Sequence, residues 1–350
     1  MRISFAVAVL AALHLGTALA SPAKRQDYYD EDDPPFSSPN YARAGKMEQI
    51  GRTGVTAMHA VLLNERKILI IDRCEFGSIV AQPFFVLPEE NEAHFDSGEA
   101  AWSTEYDIEL NQYRALRLKT NSFCSAGGFL GNGTFISTGG GQRTGRTYHA
   151  LSGFQSVRQF NPCTDDSCIW TEYPNGKMGD NRWYPTVEQL PDGSIFIIGG
   201  SSKPVQYNDE LHNTPTYEFW PSRGAAIYMP FLQETLKNNL YPFVHLLPSG
   251  NLWIFANRRS IIFDPSANII VRELPEIPGN SRSYPLTGTS VLLPLRPENG
   301  YHAEVLVCGG SEGVEHHAKG RADATCGRLD LDAPAARWGM ETFVFPRLMP

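Results

Sequence analysis

The chain contains 350 residues, 42% hydrophobic and 19% charged, which is enough apolar material for a sizeable core and excludes wholesale disorder. Acidic residues outnumber basic ones by 38 to 30 and no basic stripe is present, which excludes a typical nucleic-acid-binding protein. The 31 glycines and 25 prolines favour many turns over long helices, and the six cysteines allow a few disulfides without a disulfide-dense scaffold.

Residues 1–20 predict a secretory signal peptide. Met1-Arg2 is a short positive segment, residues 3–19 are mostly apolar, and Ala18-Leu19-Ala20 has small residues at its outer positions. The alternative is an uncleaved membrane anchor, although the apolar run barely reaches the roughly 20 residues that a span needs. We therefore expect cleavage after Ala20 and a secreted, extracellular protein with no membrane association.

Residues 21–47 predict a flexible acidic leader. Lys24-Arg25 is a dibasic pair at which a processing protease could cut, and a solvated pair without a role is the alternative. Residues 27–33 form an acidic run that ends before Pro34-Pro35, a pattern typical of a solvated tail.

A single phrase recurs between residues 48 and 350: an apolar run, a tight turn, a second apolar run and often Gly-Gly. The turns lie at 49- to 68-residue spacings, near Asn64, Asn132-Gly133, Asp192-Gly193, Ser249-Gly250 and Glu298. Asn-Gly and Asp-Gly between alternating hydrophobic residues are strong hairpin signals, because both positions tolerate positive φ. A hairpin-rich unit at this period is typical of a kelch-type β-propeller blade, and an all-β sandwich is the alternative.

We count about five blades in this all-β region. Only residues 231–238 look helical, and we interpret them as a turn within a loop. The chain stops inside an apolar phrase at residues 342–350. Either five blades close on themselves, or the chain is the amino-terminal part of a longer protein and leaves an open propeller with exposed sheet flanks.

Cys124 and Tyr184 each lie eight residues before the turn of their own unit, at Asn132 and Asp192. Equivalent positions of neighbouring blades have similar radius and height, so these side chains could meet and form a Cys–Tyr thioether beside a copper ion. Tyr241 has the same spacing, which shows that the position also accepts tyrosine for packing reasons. A buried free Cys124, a Cys74–Cys124 disulfide and an ordinary core role for Tyr184 are the alternatives.

Several words of the sequence resemble the amino-terminal region of fungal glyoxal oxidases, which are galactose-oxidase-like copper radical oxidases. They are NSFCSAGGFLGNG from Asn121, GRTYHALSG from Gly145, RWYPTVEQLPDGSIFIIGG from Arg182, NLYPFVHLLPSGNLWIFAN from Asn239 and YPLTGTSVLLPL from Tyr284. The resemblance runs from about Gly51 to the end. It implies a seven-bladed propeller in which Cys124 is the thioether cysteine and Tyr184 the cross-linked, copper-binding radical tyrosine.

The resemblance also implies the reaction: dioxygen oxidises small aldehydes of the glyoxal or methylglyoxal type to carboxylic acids and is itself reduced to hydrogen peroxide. It further implies that the enzyme is a monomer. The family's axial tyrosine, followed by a histidine, and its further histidine belong to later blades and a carboxy-terminal β-domain. We therefore expect this truncated chain to bind copper weakly and to be inactive by itself. The alternative function is a non-catalytic propeller that binds glycan or protein.

Other histidines remain unassigned as copper ligands. Tyr148-His149 lies in an amino-terminal word of the family, and His316-His317 lies in a Gly-rich, charged loop typical of a solvated pair. The same holds for His59, His94, His212, His245 and His302.

The remaining cysteines predict disulfides. Cys163 and Cys168 bracket a polar turn, and no second ligand pair is placed to make them a zinc site. Cys308 and Cys326 flank a long loop and predict a second bridge. With Cys124 in a thioether, Cys74 is left as a buried thiol.

Asn132 begins an Asn-Gly-Thr glycosylation sequon within a tight hairpin turn, and we predict glycosylation at this residue.

Overall fold

Each recurring phrase of the sequence folds into one four-stranded antiparallel sheet whose strands follow each other in chain order. The computed structural model describes residues 48–74, 93–97, 99–144, 150–173, 178–205, 208–312 and 321–342. The predicted signal peptide, acidic leader and dibasic pair lie outside these residues, as do Tyr148-His149 and His316-His317. All five sheets belong to one unit of the chain, Ile50–Pro350.

The strands are as follows. Sheet 1 contains β1 (His59–Leu62), β2 (Lys67–Ile71), β3 (Ser103–Asp107) and β4 (Gln112–Leu116). Sheet 2 contains β5 (Ala126–Phe129), β6 (Phe135–Thr138), β7 (Val157–Phe160) and β8 (Trp170–Tyr173). Sheet 3 contains β9 (Thr186–Gln189), β10 (Ile195–Ile198), β11 (Thr216–Trp220) and β12 (Ile227–Tyr228). Sheet 4 contains β13 (Phe243–Leu246), β14 (Leu252–Ala256), β15 (Arg259–Asp264) and β16 (Ile269–Glu273). Sheet 5 contains β17 (Gly288–Leu292), β18 (Glu304–Gly309), β19 (Thr325–Asp330) and β20 (Gly339–Thr342).

All five predicted turns join the first two strands of a sheet, and the turn near Glu298 contains a short 3₁₀ helix, Pro297–Asn299. The second strands β6, β10 and β14 are buried along their whole length. The first strands of neighbouring sheets contact each other: β5 with β9, β9 with β13, and β13 with β17. These observations confirm an all-β fold of the kelch-like propeller type, and the seven-blade count stays a prediction.

The segment that the sequence predicts as a turn within a loop contains a short helix. It forms as α1, Pro230–Glu234, with proline at its first position, where the missing N–H costs nothing. Both the backbone N–H and the hydroxyl of Thr235 bind the carbonyl of Phe231, and the helix ends there. Within the described residues, no helix is long and apolar enough to cross a membrane.

Three double-glycine turns after second strands are each held by a fully buried arginine. The arginine donates to the carbonyl of the first glycine, and the pairs are Arg158 with Gly139, Arg182 with Gly199, and Arg282 with Gly309. Glycine is required at Gly140, whose φ is 135°, because a Cβ there would lie 2.1 Å from the carbonyl oxygen of Asn121. These turns anchor the second strand of a sheet to the segments that lead into the first strands.

Both predicted disulfides are present. Cys163–Cys168 closes the polar turn with a sequence separation of 5, and Cys308–Cys326 joins directly opposite residues of β18 and β19 with a separation of 18. A longer closed loop restricts the unfolded chain more strongly, so opening the second bridge has the larger expected cost.

We expect Cys308→Ser/Cys326→Ser to lower the free energy of unfolding by about 3 kcal/mol, and Cys163→Ser/Cys168→Ser by about 2 kcal/mol, from the chain-entropy relation for loops of these lengths. Denaturant unfolding of both double variants measures the two losses. The reverse order would show that strain or packing at the bridges outweighs loop length.

Candidate functional site

The predicted site begins as a backbone feature that recurs in four consecutive sheets. Cys124, Tyr184, Tyr241 and Thr287, each placed just before a first strand, have left-handed φ angles of 58°, 62°, 45° and 42°. Such angles are uncommon for residues other than glycine and cluster at functional sites. The N–H of Tyr184 donates to the carbonyl of Cys124, and that of Tyr241 to the carbonyl of Tyr184, both at 3.0 Å. Residues at the same distance from their hairpin turns are therefore in direct backbone contact across neighbouring sheets. We call Cys124, Tyr184 and Tyr241 the row.

The side chains of Cys124 and Tyr184 meet in this row. Both are buried, with 8% and 6% of their surface exposed. The thiol of Cys124 lies within hydrogen-bonding distance of the hydroxyl groups of Tyr184 and Tyr241. The structure thus brings together the two residues that the sequence singled out.

Cys74 lies elsewhere, and no Cys74–Cys124 disulfide forms. Its thiol is fully buried, 3.5 Å from the carbonyl oxygen of Thr120 and 3.9 Å from the hydroxyl of Ser122. Burial raises the pKa of the Cys74 thiol to about 11, which keeps it a poor nucleophile.

Tyr284 completes the cluster and was not singled out from the sequence. Its hydroxyl lies 3.1 Å from that of Tyr184, and the two ring centroids are 4.6 Å apart. It does not share the left-handed position, which Thr287 occupies in sheet 5. The available signal was the Tyr-Pro dipeptide, which occurs at Tyr184, Tyr241 and Tyr284 but also at Tyr173, at the end of β8 and outside the cluster.

Trp183 covers the Tyr184 ring. The ring centroids are 4.2 Å apart, and the indole N–H donates to the carbonyl of Phe123 at 3.0 Å, which fixes the indole. Burial first, and then the Cys124 thiol and the Tyr284 hydroxyl, raise the pKa of Tyr184 well above its ordinary value. Burial likewise raises the pKa of Tyr241 and of Tyr284. The three phenols are therefore protonated at neutral pH, and binding of a metal cation to one of them must release a proton.

The donors described here fit one part of a copper site. A buried phenol beside a thiol suits a thioether-linked tyrosine ligand, whereas copper also favours imidazole. Among the described residues, no group of three or more His, Cys, Asp or Glu side chains lies together. The imidazole of His59 hydrogen-bonds to the backbone of Ser125, the residue after Cys124.

Of the four other described histidines, His94 forms an isolated backbone bridge with Ala100, and three have side-chain partners in separate places. His212 contacts Asp209 at 2.9 Å, and His302 contacts Asp330 at 2.7 Å. His245 contacts the hydroxyl of Ser290 at 2.9 Å.

Asn132 is exposed at its hairpin turn, where its side-chain oxygen accepts the N–H of Thr134 at 3.0 Å. The side-chain nitrogen takes no part in that bond, and glycosylation at this asparagine stays a prediction.

A carboxyl on the strand that follows Tyr184 gives the protein a pH-dependent stability. Burial raises the pKa of Glu188 from 4.5 to about 7. The folded protein therefore holds this proton more tightly than the unfolded chain, and the free energy of unfolding falls as pH rises from about 4.5 to about 7.

We expect Glu188→Gln to reduce the fall in the free energy of unfolding between pH 4.5 and about 7, because glutamine has no carboxyl group that loses a proton in this range. Urea unfolding at a series of pH values measures the slope. Glu65→Gln, an exposed carboxyl in the first hairpin turn, is the control and should keep the slope. An unchanged slope in the Glu188 variant would contradict the assignment.

The sequence was compared with known protein families and curated proteins. The family described as "Glyoxal oxidase N-terminus" matches residues 58–350. "Aldehyde oxidase GLOX" of Vitis pseudoreticulata is 31% identical over 315 residues, and "Aldehyde oxidase GLOX1" of Arabidopsis thaliana is 34% identical over 322 residues. These alignments cover 86% and 85% of this chain but 55% and 48% of the two relatives. The chain thus spans about half the length of these curated relatives.

A solved structure shares the fold. It is titled "Novel fungal alcohol oxidase with catalytic diversity among the AA5 family, in complex with copper", and it superposes with a TM-score of 0.57 at 15% sequence identity. The superposition covers 87% of this chain and 57% of that one.

Proposed function

The chain belongs to the glyoxal oxidase N-terminus family, and we propose from this premise that it forms the cofactor-bearing part of a secreted copper radical oxidase. The proposed reaction oxidises a small aldehyde of the glyoxal or methylglyoxal type with dioxygen and water to a carboxylic acid and hydrogen peroxide. The observation that carries the proposal is the contact between the buried Cys124 thiol and the Tyr184 phenol.

The proposed cofactor is a thioether between Cys124 and the ring carbon ortho to the Tyr184 hydroxyl. Its formation breaks one S–H and one C–H bond, forms one S–C bond, and transfers two electrons and two protons to dioxygen, which becomes hydrogen peroxide. Sulfur at that position donates electron density to the ring and makes the phenol easier to oxidise by one electron. Copper, when bound, supplies a second one-electron store.

The chain's own residues have defined tasks in this proposal. Tyr184 would bind the metal and hold the radical, and Cys124 would modify its ring. Trp183 excludes water from the face of the ring, and the Tyr284 hydroxyl holds the phenol oxygen in place. Weak copper binding by this chain alone stays a prediction, because it rests on imidazole ligands that the resemblance assigns to later parts of the family.

The test is the mass of the chain secreted from the 350-residue precursor, after copper loading in air. We expect the loss of two hydrogen atoms beyond those of the two disulfides, and a covalent tie between the tryptic peptide 120–143 and the peptide that begins at Trp183. A chain without this tie would overturn the proposal and favour a binding propeller. Hydrogen peroxide formation from glyoxal or methylglyoxal, followed with a peroxidase-coupled dye, measures turnover separately.

A further inference from the structure

We propose that Tyr241 is a positioning residue that holds the Cys124 thiol against Tyr184 for cross-linking, an inference that rests on the proposed function. Cross-link formation requires a sulfur atom at one edge of the Tyr184 ring. A cysteine side chain has three staggered rotamers, so a partner that favours one of them increases the fraction of molecules ready to react.

The hydroxyl of Tyr241 lies where such a partner is needed. It donates to the carbonyl oxygen of Ser125 at 3.2 Å and lies within hydrogen-bonding distance of the Cys124 thiol. The bond to Ser125 fixes the hydroxyl beside the main chain of the residue after the cysteine. The thiol is thus held by a group that is itself anchored to the cysteine's own segment.

Tyr241 is also tied to the other partner of the cross-link. Its N–H donates to the carbonyl of Tyr184 at 3.0 Å, and its ring packs edge-to-face on the Tyr184 ring at 5.1 Å between centroids. It therefore contacts the sulfur through its hydroxyl and the acceptor ring through its backbone and its own ring. A change in the relative position of the two reactants would break one of these contacts.

The main chain around Cys124 has further bonds that remain when the Tyr241 hydroxyl and its bond to the Ser125 carbonyl are removed. The N–H of Cys124 contacts the sulfur of Met58 at 3.3 Å, and its carbonyl accepts the N–H of Tyr184. Removal of the Tyr241 hydroxyl should therefore free the thiol rotamer and leave the backbone in place.

Tyr217 offers a matched control. It is buried in sheet 3 outside the cluster, and its hydroxyl donates to the side-chain oxygen of Asn268 at 3.0 Å. Tyr241→Phe and Tyr217→Phe each remove one hydroxyl and keep the ring. Only the first removes a hydroxyl group beside the sulfur.

The experiment follows cross-linking in the 350-residue chain after addition of copper(II) in air. Trypsin separates Tyr184 from Tyr241, because Arg223 and Lys237 lie between them, so peptide masses identify the acceptor. We expect Tyr241→Phe to slow the Cys124–Tyr184 tie about fivefold, the effect of one hydrogen bond, and Tyr217→Phe to leave the rate within about twofold of the parent. Circular dichroism is the check that both variants fold.

A second readout needs no copper. In the metal-free chain, we expect Cys124 to react with iodoacetamide several-fold faster in Tyr241→Phe than in the parent or in Tyr217→Phe, because the thiol has lost its restraint.

The outcomes separate the two proposals. A parent chain that never cross-links overturns the proposed function, and the labelling rates then decide the role of Tyr241. Normal cross-linking in Tyr241→Phe overturns the positioning role and leaves the proposed function intact. Equal slowing in both variants, or a tie to the Tyr241 peptide, also overturns the positioning role.

Discussion

We expect Cys124→Ser to abolish the proposed covalent tie to the Tyr184 peptide and Cys74→Ser to leave it at the parental level. Both cysteines are buried and free of disulfides, so they differ in neighbours rather than in exposure. The Cys124 thiol meets the Tyr184 phenol, whereas the Cys74 thiol meets a backbone carbonyl and a serine hydroxyl. Serine keeps the size and polarity of the side chain but cannot form the thioether, so the expected loss is complete.

The measurement is the fraction of peptide 120–143 tied to the Tyr184 peptide after copper loading in air. Tyr184→Phe serves as a second all-or-none variant, because it keeps the ring but removes the phenol oxygen whose one-electron oxidation activates the ortho carbon. A tie that persists in Cys124→Ser would show that another residue supplies the bond. Loss of the tie in Cys74→Ser would mean that the buried Cys74 thiol supports the site in a way that its contacts with Thr120 and Ser122 do not indicate.

The local part of this site could be predicted from the sequence because propeller geometry repeats. Cys124 and Tyr184 have the same distance to their hairpin turns, and neighbouring blades place equal positions side by side. The structure shows the reason in detail: backbone hydrogen bonds link successive members of the row, from Cys124 to Tyr184 to Tyr241. Spacing alone, however, could not show which of the two tyrosines meets the thiol, and the structure shows that both do.

Tyr284 could not be found by the same argument. Its unit has a different chain path before the first strand, and Thr287 occupies the equivalent left-handed position. The tyrosine reaches Tyr184 from outside the repeat, so only three-dimensional packing reveals the contact. The sequence repeat therefore predicts the positions that the sheets have in common, and it does not predict a contact made by a residue outside those positions, such as Tyr284.

The buried arginines were missed for another reason. Arginine is almost never fully buried unless it is paired, so Arg158, Arg182 and Arg282 read as surface residues in a sequence. Their partners are glycine carbonyls at strand ends and acids such as Glu218, which lies 36 residues after Arg182. Neither a backbone acceptor nor a distant partner leaves a pattern along the chain.

Arg182 gives the largest expected loss of stability. Its guanidinium is fully buried, pairs with Glu218 at 2.7 Å, and also donates to the carbonyls of Gly199 and Thr216. Arg182→Ala leaves the Glu218 carboxylate buried without its partner, and breaking such a pair costs about 3–5 kcal/mol. This is a large part of the roughly 5–15 kcal/mol by which a typical protein is stable. Denaturant unfolding, or the thermal midpoint if unfolding is irreversible, measures the loss.

Arg223→Ala is the matched control, because Arg223 pairs with Asp192 at the surface, where 37% and 60% of the two side chains are exposed. An exposed pair contributes about 1 kcal/mol or less. Equal losses in the two arginine variants would contradict the argument from burial.

We also expect a change at Arg182 to affect the candidate site, because Arg182 is two residues from Tyr184. Arg182→Lys keeps the charge but not the planar guanidinium group, and slower cross-linking in this variant would show that the two positions are coupled.

The double variant Arg182→Met/Glu218→Gln separates the two tasks of the arginine. Removing both charges relieves the unpaired carboxylate, so part of the Arg182→Ala loss should return. The carbonyl of Gly199 still loses the arginine donor, and an unsatisfied buried acceptor costs about 1–3 kcal/mol, whereas the carbonyl of Thr216 keeps its bond from the N–H of Gly199. We therefore expect incomplete recovery, and the part that does not return measures how strongly the arginine holds the double-glycine turn. Full recovery would show that the ion pair alone determines the stability at this position and that the turn holds without it.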